Sequence, residues 1–118
     1  MNQSMANADY SSAPDHPIID KPFQYQIIEM AYHVDLRNFL DSYIDLTLLR
    51  DADVRHLRFW GPQGLKIEEG FPNSTDGMAI LDISEWQWQD LNVAVTDFEA
   101  SSGSIIFWAR DVIDLDAL

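Results

Sequence analysis

Residues 24–37 read QYQIIEMAYHVDLR. Ile28, Met30, Tyr32, Val34 and Leu36 fall on one side of this stretch, and Glu29, Ala31, His33, Asp35 and Arg37 on the other. Side chains of an extended chain point alternately to opposite faces, so apolar residues repeating with period two predict a half-buried antiparallel strand. The next piece is open to two readings. Leu36, Phe39, Leu40 and Tyr43 are spaced for one helical face, but Asn38–Ser42 also suits a turn into the following strand, and the turn is preferred.

Alternation returns along the rest of the chain. In YIDLTLLR (43–50), Ile44, Leu46 and Leu48 oppose Tyr43, Asp45 and Thr47. In VRHLRFW (54–60), Leu57 and Phe59 oppose His56, Arg58 and Trp60. Gly61-Pro62-Gln63-Gly64 then punctuates the chain, because Gly and Pro impose backbone angles that a ladder cannot use. Further strands are read at LKIEE (65–69), MAILDIS (78–84), NVAVTDFEA (92–100) and SIIFWARDVIDL (104–115), the last two joined by a Ser101-Ser102-Gly103 hairpin signal. Residues 84–91 either make one helical turn capped by Ser84 or extend the strand through Trp86 and Trp88. Six or seven strands, with at most one or two short helices, predict a mainly β domain: an antiparallel β-sandwich or curled sheet. It spans residues 23–118, after a polar arm over 1–22 broken by Pro14, Pro17 and Pro22 and read as flexible or surface-draped.

Composition narrows the chemistry. The 118 residues contain no Cys, which removes disulfides, thiolate nucleophiles and Cys-based zinc sites. The N-terminal residues have neither the basic start nor the apolar stretch of a signal peptide, and no apolar run approaches a bilayer span, so a cytoplasmic protein is expected. No P-loop, dinucleotide fingerprint or Gly-x-Ser-x-Gly elbow is present. His16, His33 and His56 are the candidate general bases, but none has a serine at a telling spacing. His33 and Asp35 share a strand face and Asp51-Ala52-Asp53 begins like a calcium loop. Neither has the remaining ligands at the required places. With 20 acidic residues a glycosidase pair is conceivable, but nothing selects one. The expectation is a protein without catalytic residues, metal or cofactor.

Charge points to contact rather than catalysis. Residues 1–66 carry nine acids and six bases, whereas residues 67–118 carry eleven acids and one base, Arg110. The whole chain has a net charge of −13, a field that repels phosphate backbones and anionic membranes and speeds encounter with basic proteins. The basic exception is RHLRFWGPQG (55–64) with Arg50 and Lys66. Arg55 and Arg58 fall on opposite strand faces, which gives no continuous strip for a phosphate backbone. Arg58 paired with an acid on a neighbouring strand is expected instead, and Arg55 points inward unless it lies at the strand entrance. Trp86 and Trp88, flanked by Glu85 and Asp90, read either as core packing or as an aromatic anchor for a basic partner. Asp82, Glu85, Asp90, Asp97 and Glu99 would surround them if the two strands around residues 78–84 and 92–100 are neighbours, with Glu68, Glu69 and Asp76 extending the acidic surface. Paired tryptophans could also stack on sugar rings. A homodimer through an exposed edge strand, such as 104–115, is permitted.

The stretches VRHLRFWGPQGLKIEEGFP, MAILDIS and GSIIFWARDVIDL, over roughly residues 43–115, resemble the small acidic β-rich immunity proteins of bacterial contact-dependent and polymorphic toxin systems. The resemblance lies in short strands, a glycine turn after an aromatic strand, and a closing Gly-x-Ile-x-Phe-x-Ala strand. It implies a cytoplasmic inhibitor that binds a cognate toxin, often a basic nuclease, by surface complementarity.

Overall fold

The computed structural model describes residues 9–72, 78–97 and 103–117. Eight strands make two antiparallel four-stranded sheets. They are β1 (Gln26–His33), β2 (Tyr43–Arg50), β3 (Asp53–Trp60), β4 (Gln63–Ile67), β5 (Met78–Asp82), β6 (Val93–Asp97), β7 (Ile105–Ala109) and β8 (Asp111–Asp114). The first sheet has the order β1-β2-β3-β8 and the second β4-β7-β6-β5. The expected sandwich of mainly β structure is what the chain forms. Helical structure among the described residues is limited to single 3-10 turns, including Phe39–Asp41 and Ser84–Trp86, and no described helix is long and apolar enough to cross a membrane.

Period two works where a strand has one wet face. In β2 the residues Ile44, Leu46 and Leu48 are fully buried, and in β3 so are Leu57 and Phe59. They meet Met78, Ile80, Val93, Val95, Ile105 and Phe107 of the second sheet in one core. Phe59 and Phe107 join the sheets edge to face, with ring centroids 5.0 Å apart.

Three expectations change. First, β1 does not bury the row from Ile28 to Leu36. A register shift between Ile27 and Glu29 puts Ile27 rather than Ile28 on the core side with Met30 and Tyr32: Ile27 is buried at 2% exposure and Met30 packs against the core, while Ile28, Tyr32 and Val34 are 51%, 39% and 55% exposed. Second, residues 104–115 are two strands in different sheets. The chain turns a corner at Arg110, whose N–H donates to the Trp60 carbonyl at 2.8 Å, while the Ala109 carbonyl accepts from Asn92 N–H at 2.9 Å. The chain passes the other way between sheets at Gly61, where φ is +59° and an added Cβ would lie 3.2 Å from Leu40 Cδ2. Third, that corner leaves β7 inside the second sheet, between β4 and β6, so of residues 104–115 only the four of β8 lie at a sheet edge.

The second sheet is covered on both faces. Ala79, Leu81, Ala94 and Trp108 lie on its outer side and are buried under Tyr10, Ala13, Trp86 and Trp88. Residues of the N-terminal arm bond along β5: His16 N–H donates to the Ile80 carbonyl at 2.8 Å, and Asp82 N–H to the Pro14 carbonyl at 2.9 Å. Ile19 then enters the main core.

Candidate functional site

The basic stretch is satisfied internally. Arg58 and Asp45 face each other in the β2–β3 register and form a bidentate pair at 2.8 and 3.0 Å. The Arg58 guanidinium lies 3.8 Å from the Tyr43 ring centroid and 5.3 Å from that of Trp60. Arg55 stands at the strand entrance, bonded to Asp53 at 3.1 Å and 3.7 Å from Asp114. Arg50 is 3.9 Å from Asp53, and His56 Nδ1 lies 2.8 Å from Asp116. The hydrogen bond to Asp116 raises the His56 pKa. His33 stacks on Tyr43 and has no metal-binding companion set, since no described group of three His, Asp or Glu could hold a metal ion. The cations of the basic stretch are therefore largely neutralised by acids of the same sheet and its flanking turns.

Trp86 and Trp88 occupy the opposite surface. Ser84–Trp86 forms a 3-10 turn rather than more strand, and Gln87 follows in the left-handed region at φ +58°. That reversal brings the two indoles edge to face at 5.2 Å. Tyr10 stacks on Trp86 at 5.3 Å and accepts a 2.7 Å hydrogen bond from Trp108 Nε1. Both Trp86 and Trp88 are half-buried, so they close the outer face of the second sheet as well as bordering solvent.

The register sorts the predicted carboxylates into two groups. β5 and β6 are neighbours, but Asp82 faces Val93 and Met78 faces Asp97. Four residue steps of about 3.3 Å each put Asp82 and Asp97 roughly 13 Å apart. Asp82, Glu85 and Asp90 gather at the end where residues 83–92 connect the strands. Asp97, Glu68 and Glu69 lie toward the other end, where Ile67 pairs with Ile105 and Glu68 accepts a 2.6 Å bond from Ser104 Oγ. Asp76 and Glu99 lie outside the described residues. The tryptophans are thus bordered by acids at one end only.

That acidic end contains a cleft of about 540 Å³ lined by His16, Asp82, Ser84, Asn92, Arg110 and Asp111, with Val93 in its wall. Of these only Asp82 was selected from the sequence. His16, a candidate base in the sequence, could not be placed in the cleft because its position is set tertiarily: the bonds along β5 carry it there. Its Nδ1 accepts from Ile18 N–H at 3.0 Å. Burial lowers the His16 pKa and outweighs the opposing pull of Asp82 and Asp111. Asp82 is lowered by the Ser84 hydroxyl and N–H, at 2.6 and 2.9 Å. Ser84 thus spends its proton on a carboxylate rather than on a histidine base.

A pH dependence follows. Unfolded His16 titrates near 6.5 and the folded group below that, so the unfolded state takes up the proton first as pH falls. The contribution of neutral His16 is present above about pH 6.5 and is lost on acidification toward the lowered folded value. His56, raised, acts in the opposite sense, so the measurement must be a difference. Urea unfolding at pH 7.5 and pH 5 should show the wild type losing stability relative to His16→Asn, which keeps an acceptor for Ile18 but cannot titrate. Parallel pH profiles would remove this role for His16.

Two further hollows border the aromatic cluster. One, of about 460 Å³, is lined by Gln63, Gln87, Trp88, Gln89, Asp90 and Leu91. The other, of about 380 Å³, runs between Tyr10, Lys66, Ile106 and Trp108, and the buried Thr96 hydroxyl in its lining has no hydrogen-bond partner among the described residues. No protein-family description, curated protein or solved structure matches the chain.

Proposed function

We propose that this chain is a non-catalytic binding module that docks a basic protein through the acidic end of its second sheet and the adjoining β7–β8 corner, with Asp82, Glu85, Asp90 and Asp111 as the contacting charges. One observation carries the reading. Ion pairs on the first sheet and the turns beside it occupy Asp45, Asp53, Asp114 and Asp116, whereas Asp82, Glu85, Asp90 and Asp111 form no ion pair with a described Arg or Lys. An acidic rim whose carboxylates outnumber the Arg110 cation in their cleft, beside half-buried tryptophans, supplies both long-range attraction and a desolvated anchor. The likeness to toxin-immunity proteins supports the same reading and gives the partner a class, a basic nuclease domain neutralised in the cytoplasm.

The test uses a basic toxin domain encoded beside this chain, with association followed by stopped flow at low and high salt. Glu85→Lys with Asp111→Lys and Asp90→Asn should slow association at low salt by about tenfold or more and flatten its salt dependence. Asn is chosen at position 90 because φ there is +59°, which Asn tolerates. Association indifferent to salt and to these changes would sink the proposal.

A second reading rests on the hollow at Trp88. Three glutamine amides and Asp90 around one indole face are suited to hydroxyl groups and a sugar ring. Trp86, stacked on Tyr10, does not line it. A fluorescence response to a sugar, abolished by Trp88→Ala while toxin binding is absent, would favour this reading over the first.

A further inference from the structure

The outer edge of β1 has no strand beside it among the described residues: β1 ends the first sheet, with β2 as its sole ladder partner. An edge of eight residues presents unpaired backbone donors and acceptors, and proteins usually blunt such edges with Pro, Lys, a bulge or a covering segment. The other three edges are treated in these ways. Residues 14–16 bond along β5, with Asp15 bridged to Leu81. β4 carries Lys66 and a register shift between Gln63 and Lys66. β8 is only four residues long and runs into the 3-10 turn Leu115–Ala117. β1 contains neither Pro nor Lys nor Arg, and its one irregularity lies between Ile27 and Glu29. The regular remainder, Glu29–His33, is open and largely uncharged, and Tyr32 and the adjoining Val34 are exposed large hydrophobic residues.

This segment is complementary to itself. In antiparallel pairing centred on Ala31, Glu29 faces His33, Met30 faces Tyr32, and Ala31 faces its own copy. Opposed residues share a sheet face. Met30 and Tyr32 stand beside Leu46 and Ile44, in line with the core row, whereas Glu29, Ala31 and His33 stand on the outer side beside Thr47, Asp45 and Tyr43. Acid meets imidazole twice, apolar meets apolar twice, and the smallest side chain sits on the axis. We propose that β1 pairs with β1 of a second copy about a twofold axis at Ala31, which joins the two first sheets into one of eight strands. Such an isologous contact closes at two copies.

The proposal is independent of the toxin-binding reading, and salt separates them. Each copy carries a net charge of −13, so screening should tighten this dimer by about three- to tenfold between low and high salt, whereas it weakens attraction to a basic partner.

Sedimentation equilibrium of the full chain up to about 100 μM should show monomer and dimer only. Ala31→Lys, which sets two ammonium groups face to face, should give a monomer with unchanged circular dichroism. The chain has no cysteine, so Ala31→Cys supplies a single thiol. Directly opposed residues of antiparallel strands have Cα atoms about 4.5–5.5 Å apart, within the range a disulfide spans. Mild oxidation should therefore yield a covalent dimer, while Val54→Cys, also exposed but on β3, stays monomeric. Three results would each overturn the proposal: a wild type that is monomeric at every concentration and salt, a dimer that neither cross-links at position 31 nor responds to Ala31→Lys, or open-ended oligomers.

Discussion

Phe59→Ala should lower the unfolding free energy by about 3–5 kcal/mol, the usual cost of emptying a buried phenylalanine site. The side chain is fully buried in β3, an internal strand of its sheet. It stands between Ile44 of β2 and Val112 of β8 in register, and its ring meets Phe107 across the sandwich. Truncation therefore opens a void where both sheets and three strands converge. Among the described residues β8 has no ladder partner but β3, so the strand that carries the chain around the Arg110 corner loses support as well. Domains of this size are stable by about 5–15 kcal/mol, and a loss at the upper end would leave a substantial unfolded fraction at room temperature. Urea unfolding is the measurement. Phe59→Leu, which keeps most of the volume, should cost less than about 2 kcal/mol, and the Phe59→Ala and Phe107→Ala effects should fail to add by at least about 0.5 kcal/mol because the rings touch. An alanine variant within about 1 kcal/mol of wild type would mean that the two faces are not packed as described.

How much of this architecture was legible depends on how local its cause is. The alternation in residues 43–60 identified Ile44, Leu46, Leu48, Leu57 and Phe59 as one face, and all five are fully buried. The pairing of Arg58 with a neighbouring-strand acid was also legible, since odd spacing separated it from Arg55 and opposite charges on adjacent strands commonly pair. The face of β1 was legible only in part: Met30 and Tyr32 stand beside the core row as their alternation predicts, but a single inserted residue between Ile27 and Glu29 puts Ile27 on that side in place of Ile28, and the edge position leaves Tyr32 exposed. The corner at Arg110 was not legible. One polar residue between IIFWA and DVIDL is compatible with a continuous strand, and only the bonds to Trp60 and Asn92 turn the chain. The placement of Asp97 was recoverable in principle. Antiparallel neighbours connected through residues 83–92 must put Asp82 next to Val93, so Asp97 lies at the far end. The cleft at His16 could not be reached from the sequence, because it is made by residues from the arm, β5 and the β7–β8 corner.

The arm supplies the second large effect. Deleting residues 1–19 should destabilise the chain by at least about 4 kcal/mol, although the segment forms no strand of its own among the described residues. Ile19 is 5% exposed and belongs to the main core, and loss of a buried isoleucine side chain costs about 2–5 kcal/mol by itself. Tyr10 adds a stacking partner to Trp86 and the acceptor for Trp108 Nε1. Without it the indole N–H of a residue only 6% exposed must find water, and Ala79, Leu81 and Ala94 become an open apolar face. The Ile80 carbonyl and Asp82 N–H regain solvent rather than being orphaned, so they contribute little to the loss. What they create is a second bare sheet edge, beside a hydrophobic patch. The truncated chain should accordingly bind an apolar dye, unfold at lower urea, and associate beyond the dimer. A peptide of residues 9–20 added in trans should reverse part of each change, because it restores the Tyr10 contacts, the β5 bonds and the Ile19 side chain together. A truncated chain as stable and as soluble as the full one would show that the arm is an ornament on the sheet and not a part of it.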